Sequence, residues 1–224
     1  MVFGMYKYFI NLLSEVHTKF DNYKRKVQLE VLKSKLGYID REVDFRLPDV
    51  CTCPSKIYLY GNSNIYGKSK FIISPNGLSG RFIMRKESGA AQGLTVITGN
   101  HSISPSIGVW HKEDFSKRIG DIDKDVIVEE DVWIGANVTL LSGVTIGRGA
   151  IIGAGSVVRN NVPPYAIAMG NPAKVVSFKF TPEEILKHEI KLYPELERLS
   201  IDRLEKNYQK YYLKRIGSIK DFLL

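Results

Sequence analysis

One spacing constrains this chain more than any other. Between Asp121 and Pro172 an aliphatic residue recurs at every sixth position: Ile122, Val128, Ile134, Leu140, Ile146, Ile152 and Val158. Four places after each comes a small or β-branched residue, giving Val126, Val132, Val138, Val144, Ala150, Ser156 and Val162. The phrases Ile134-Gly135-Ala136, Ile146-Gly147-Arg148 and Ile152-Gly153-Ala154 repeat within the same beat. A helix returns an apolar residue every three or four positions and a strand every second one, so neither explains a period of six. Short strands joined by tight turns do explain it. Each hexad forms one flat side of a coil with its aliphatic residue pointing inward, and successive coils stack about 4.8 Å apart. A single coil cannot bury its own face, so the repeat predicts an extended parallel β-helix.

The beat extends upstream with less regularity. Leu59, Ile65 and Phe71 stand six apart, followed four later by Ser63, Ser69 and Pro75. Asn76-Gly77 and Ser79-Gly80 then interrupt it, and a weaker register resumes through Phe82, Ser88 and Leu94. Residues 38–56, with Pro48 and Pro54 inside, read as an irregular connector. Residues 99–120 break the beat entirely; they are polar and contain Pro105 and Gly108. Such a segment is expected to leave the coil as a loop, and loops held out by a rigid scaffold often carry chemistry. The repeat stops at Val162-Pro163-Pro164, because consecutive prolines donate no ladder hydrogen bonds. The expected organisation is therefore a helical segment and connector over 1–56, a β-helix over 57–180 with an excursion at 99–120, and helices over 181–224.

At the N-terminal side Tyr6, Phe9, Leu13, Val16, Phe20, Tyr23 and Val27 alternate steps of three and four, one stripe of a helix running to about Lys35. It can rest on an anionic membrane surface, or pack on the coil or a neighbouring subunit. Acidic residues on its polar face favour packing. The segment reads as neither a signal peptide nor a membrane span, since Asn11 interrupts its short apolar run. Near the other end, Thr181-Pro182-Glu183-Glu184 combines a cap, a first-turn proline and a capping-box glutamate. Pro194 divides that helix from a second, whose stripe is Ile201, Leu204, Tyr208 and Tyr211. Both are expected to cover a coil end or a neighbour, where strand edges are otherwise unpaired.

The net charge of +8 and pI near 9.3 favour an anionic partner. No aromatic-rich basic strand motif or helix-turn-helix pattern supports nucleic acid, and none is expected as partner. Cys51 and Cys53 are too close for an ordinary disulfide and lack the companions of a zinc set, so they read as reduced cytoplasmic thiols. The four histidines are His17, His101, His111 and His188. The first and last lie on the terminal helices as surface residues. His101 and His111 lie in the excursion. No Ser-His-Asp arrangement and no Walker-type phosphate loop is present.

Several segments in order resemble a known family. They are Thr98-Gly99-Asn100-His101 before the excursion, Asp131 through Val138 with Trp133-Ile134-Gly135, Ile152 through Val158, Pro163-Pro164-Tyr165, and Gly170-Asn171-Pro172-Ala173-Lys174. Together they resemble the hexapeptide-repeat acyltransferases, in particular the galactoside, maltose and xenobiotic O-acetyltransferase branch, over roughly residues 57–180. That resemblance implies a left-handed β-helix, a homotrimer with sites between subunits, and acetyl-CoA as co-substrate without a metal. Its left hand comes from the resemblance alone, since crossovers between parallel strands are normally right-handed. It also implies His101 as general base. Trp133 would flank the pantetheine arm, Ala136 and Ala154 would offer backbone hydrogen bonds to it, and Arg159 and Lys174 would meet the adenine or phosphate end. Arg159 stands where relatives often carry another residue. Asn100, Trp110 and His111 line the acceptor side in this reading.

The chemistry fits the carry-over. A thioester is already activated, so the reaction needs only proton removal from the acceptor and donors for the oxyanion. The expected function is O-acetylation of a sugar hydroxyl in a capsular, lipopolysaccharide or other surface glycan, carried out in the cytoplasm. Amino-sugar N-acetylation or antibiotic acetylation is the alternative. A γ-type carbonic anhydrase would need a third zinc-binding histidine near His101 and His111, and a non-catalytic scaffold would have no use for His101 and Trp133.

Overall fold

The structure, a computed structural model, describes residues 2–100, 107–110, 113, 123–214 and 216. Its fold is mainly β: a left-handed parallel β-helix of hexapeptide repeats with helices at both ends. The two inward rows of the hexad explain the packing. Val128, Ile134, Leu140, Ile146, Ile152 and Val158 are buried, and so are Val126, Val132, Val138, Val144, Ala150 and Ser156. Each side of a coil thus sends two side chains inward, and three such sides fill the interior.

Five coils follow one another. The first is β1 (Tyr38–Ile39), β2 (Asp44–Phe45) and β3 (Val50–Cys51); the second is β4 (Ile57–Leu59), β5 (Asn64–Ile65) and β6 (Lys70–Ile72). The third is β7 (Phe82–Met84), β8 (Gly89–Ala90) and β9 (Thr95–Ile97); the fourth is β10 (Val126–Val128), β11 (Trp133–Ile134) and β12 (Thr139–Leu140). The fifth is β13 (Thr145–Ile146), β14 (Ile151–Ile152) and β15 (Val157–Val158). Corresponding strands pair in parallel register, as in Ile134 with Ile152 and Leu140 with Val158. They form three sheets, called here the first, second and third sides, ordered β1-β4-β7-β10-β13, β2-β5-β8-β11-β14 and β3-β6-β9-β12-β15.

Residues 38–51, expected as an irregular connector, instead form the first coil. Ile39, Phe45 and Cys51 keep the six-residue step, and Pro48 sits at a corner where no ladder donor is needed. The third coil is also regular. Phe82, Ser88 and Leu94 are buried as the small-residue row, and Met84, Ala90 and Val96 supply the second inward row. The exposed Arg85-Lys86-Glu87 run is simply a corner. Phe45, Phe71 and Phe82 meet inside the stack with centroids 5.9 and 5.5 Å apart. Truncating a ring in such a core costs roughly 3–5 kcal/mol.

The coil ends are covered. Beyond the fifth coil β16 (Ala166–Met169) continues the second side in parallel, and β17 (Lys174–Phe178) pairs with it antiparallel. Helix α2 (Pro182–Leu192) starts at the expected capping box, with both reciprocal bonds between Thr181 and Glu184 formed. Its Glu189, fully buried, accepts from the Tyr165 hydroxyl at 3.0 Å and from the Leu199 backbone N–H at 2.6 Å. Arg148, on the last complete coil, reaches Glu189 at 3.4 Å and lies 3.9 Å over the Tyr193 ring. Burial pushes the Tyr193 hydroxyl up to about 12 and raises Tyr165 further. The second helix, α3 (Ile201–Tyr208), turns Leu204 into the same cluster. His188 is half-buried between Tyr165 and Phe180 rather than at the surface.

Candidate functional site

Chemistry is expected where the beat breaks, so the root of the excursion is the natural starting point. Strand β9 ends at Ile97, and the chain leaves the coil through Thr98, Gly99 and Asn100. It returns at Asp123, only 2% exposed. The Asp123 carboxylate ties the two ends together. Its Oδ1 accepts the backbone N–H of Asn100 at 2.7 Å, and its Oδ2 accepts the hydroxyl of Ser74 from the second coil. The Ser74 N–H donates to Thr98 Oγ1 at 3.0 Å. One coil further on, the Ser142 hydroxyl donates to the Thr98 carbonyl at 2.8 Å and accepts from Lys124 N–H at 3.1 Å. Gly80, with φ +82°, lets the chain pass Asp123; a Cβ there would lie 3.2 Å from the Asp123 Cβ. A buried carboxylate is costly unless hydrogen-bonded, and these donors satisfy it. The loop is thereby anchored across three coils.

His101 and His111, expected as base and acceptor-side residue, lie outside the described residues. Asn100 is described: its backbone is committed to Asp123 while the residue itself is exposed. Trp110 is exposed in the excursion, with its carbonyl accepting from Glu113 N–H at 2.9 Å. Neither Asp123 nor Ser74 was singled out from sequence. The only trace was Asp123 standing one place after Ile122 of the six-residue row.

The expected cofactor residues fall into two groups. Trp133 opens β11 on the outer face of the second side, 46% exposed. Its indole lies over Gly89 on the neighbouring coil, where a Cβ would come within 2.9 Å of the ring and 2.5 Å of Asn64 Oδ1. The glycine is what allows the ring to lie against the sheet. Ala136 follows at the next corner, and Ala154 occupies the same corner one coil further. Gly155 N–H donates 2.8 Å to the Ala136 carbonyl, and a Cβ on Gly135 would meet Ala154 N at 2.6 Å. The column continues one coil on: Gly170 N–H donates to Ser156 Oγ at 3.1 Å, Ala173 N–H to the Val157 carbonyl at 2.9 Å, and Lys174 follows, exposed. Trp133, Ala136, Ala154 and Lys174 thus lie along one corner column. With about 4.8 Å between adjacent strands, the three steps from β11 through β14 and β16 to β17, where Lys174 stands, span roughly 14 Å.

Arg159 stands apart. It is exposed at the corner after β15, on the far edge of the third side from Ala154. That corner belongs to the column containing Ser142 and the excursion root. Within one protomer, then, the structure aligns Trp133, Ala136, Ala154 and Lys174, and sets Arg159 and Asn100 on the next column round.

The backbone at these corners is built for close approach. Asn137 holds φ 57° and Gly155 φ +70°, and a Cβ on Gly155 would meet open space. The small side chains of Ala136 and Ala154 let an extended ligand lie close to the wall. An exposed lysine at its end suits an anionic group.

Comparison with known proteins agrees with this architecture. Residues 125–160 match the family model described as bacterial transferase hexapeptide (six repeats). A hexapeptide-repeat-containing acetyltransferase from Vibrio cholerae has the same fold, with TM-score 0.57 and 22% identity over 69% of this chain and 80% of that one. The Vibrio cholerae O1 biovar eltor protein complexed with acetyl-coenzyme A gives TM-score 0.54 and 22% identity, covering 69% and 78%. A galactoside acetyltransferase in complex with coenzyme A gives TM-score 0.50 and 19% identity, covering 76% of each chain. A comparison of the sequence with curated proteins finds no significant match. The chain carries the hexapeptide repeat, and its structural neighbours include hexapeptide-repeat acetyltransferases.

Proposed function

We propose that this chain is an acetyl-CoA-dependent O-acetyltransferase that works as a cytoplasmic homotrimer on a sugar hydroxyl, with His101 as general base. The glycan is of the surface kind, capsule or lipopolysaccharide. One observation carries the reading: a continuous corner column from Trp133 through Ala136 and Ala154 to Lys174, with a loop on the opposite edge of the third side whose root is clamped immediately before His101. The acetyl-coenzyme A in the Vibrio cholerae neighbour and the coenzyme A in the galactoside acetyltransferase support the choice of donor.

The two columns suggest how the site is completed. The excursion root and the Trp133 column flank opposite edges of the third side. In a trimer with parallel axes, the loop column of one protomer can face the Trp133 column of its neighbour, so a thioester along one wall meets a histidine from the other. His101 takes the proton of the acceptor hydroxyl as its oxygen attacks the acetyl carbonyl. The new C–O bond forms, the C–S bond breaks, and the imidazolium returns its proton to the leaving thiolate. A base so placed contributes about 10²–10⁴-fold.

Incubating the protein with acetyl-CoA and candidate sugars, and following free thiol release with mass analysis of the acceptor, tests the reading. The expected result is release that depends on a sugar and adds one acetyl ester. Acetylation of amino sugars or antibiotics at the amine alone would replace the O-transfer reading. No thiol release with any acceptor, and no binding of coenzyme A, would end it.

A further inference from the structure

Helix α1 (Val2–Lys33) turns the wrong face outward for a helix that only packs on its own protein. Leu29 and Leu32, near its end, pack against the coil core, and Asn22, Arg25 and Lys26 on the same face border a cleft of about 730 Å³ whose other wall includes Leu47, Tyr66 and Gln92. At 100° per residue, Leu13, Val16, Phe20, Tyr23 and Val27 lie about half a turn round from that face. They are exposed, Phe20 by 64% and Tyr23 by 67%. The expectation that this stripe packs on the coil is therefore not met within the protomer: the polar face looks at the coil and the apolar face looks away.

We infer that α1 is a membrane-surface anchor that lays this stripe into an anionic lipid interface. Three observations select lipid as the occupant. First, the stripe is edged by cations, Lys19 on one side and Lys24 on the other, placed to reach phosphates while the rings sink. The acidic residues that argued against a membrane are otherwise engaged: Asp21 pairs with His17 at 3.2 Å and Glu30 with Lys33 at 3.0 Å, while Glu15 falls on the coil side. Second, the sequence from Val2 to Leu13 carries the single charge Lys7, a composition richer in apolar residues than one narrow seam requires. Third, the same 3–4 spacing could seat parallel copies of α1 on one another, but Lys19 of one helix would then oppose Lys24 of the next, a like-charge pair at the positions that decide such pairing. No helix is long and apolar enough to cross a membrane among the described residues, so the contact is with the surface.

The inference is independent of the acyl-transfer reading, since lipid binding needs neither donor nor acceptor. Flotation of the full chain with vesicles tests it. Vesicles containing phosphatidylglycerol are expected to carry the protein up, with binding at least about tenfold weaker to phosphatidylcholine alone and weakened by high salt. Phe20→Glu with Tyr23→Glu, both on the solvent face, should abolish flotation while leaving the thermal unfolding temperature unchanged. Lys24→Glu separates the two occupants. It should weaken vesicle binding, whereas helix pairing would gain a Lys19–Glu attraction and tighten. Absence of flotation with phosphatidylglycerol vesicles, or tighter self-association of Lys24→Glu with unaltered flotation, overturns the inference.

Discussion

The backbone N–H of Asn100 donates a 2.7 Å hydrogen bond to a buried carboxylate oxygen of Asp123, twenty-three residues later. The residue placed immediately before the proposed base is thus held by the residue at which the loop rejoins the coil. Asp123→Ala would remove this acceptor from the Asn100 N–H and from the buried Ser74 hydroxyl, at about 1–3 kcal/mol for the buried group. Urea unfolding should show the loss, and hydrogen exchange should rise at Thr98–Asn100 while the fifth coil keeps its protection. Protection unchanged at Thr98–Asn100 would mean that the carboxylate does not hold the loop.

Trp133 and His101 should separate binding from chemistry. The Trp133 indole is half-exposed and rests on Gly89, so Trp133→Ala should raise KM for acetyl-CoA about tenfold with little change in unfolding temperature. His101→Ala should lower kcat by about 10²–10⁴-fold with KM for acetyl-CoA preserved. Steady-state kinetics on both variants checks the split. Full turnover in His101→Ala would remove the base assignment and leave the fold intact.

Acid stability should carry the mark of one pair. Burial by itself would raise the Asp125 carboxyl, but hydrogen bonds from the Arg81 side chain, at 2.6 Å, and from its backbone outweigh that and hold it below its ordinary value. A carboxylate with a folded value depressed below the unfolded one stabilises the fold above the unfolded value, and loses that contribution as pH falls through the folded one. Arg81→Ala should therefore flatten the dependence of the urea midpoint on pH in the acid range, below about 4, relative to the parent. An identical acid limb in both proteins would contradict the assignment.

Much of the fold was legible because the hexad has no competing explanation over Val126–Val158. The first coil was hidden by its residues: Cys51 stands in an aliphatic place, and Pro48 and Pro54 look like breakers although corners tolerate them. Ile39, Phe45 and Cys51 nevertheless keep the six-residue step. The corner column of Ala136 and Ala154 could be placed from spacing, since one coil returns the chain to the same corner. The clamp could not, because Ser74, Asn100 and Asp123 are brought together only by stacking, 49 and 23 residues apart along the chain. The orientation of α1 was equally out of reach: periodicity defines a stripe, and only the packing of Leu29 and Leu32 shows which way it turns.

The most direct test of the acyl-transfer account is a crystal of the protein grown with coenzyme A. The account predicts a trimer with the ligand extended between two protomers, its arm against Trp133, Ala136 and Ala154 and its charged end toward Lys174. A monomer without affinity for coenzyme A, or density confined to another surface, would contradict it.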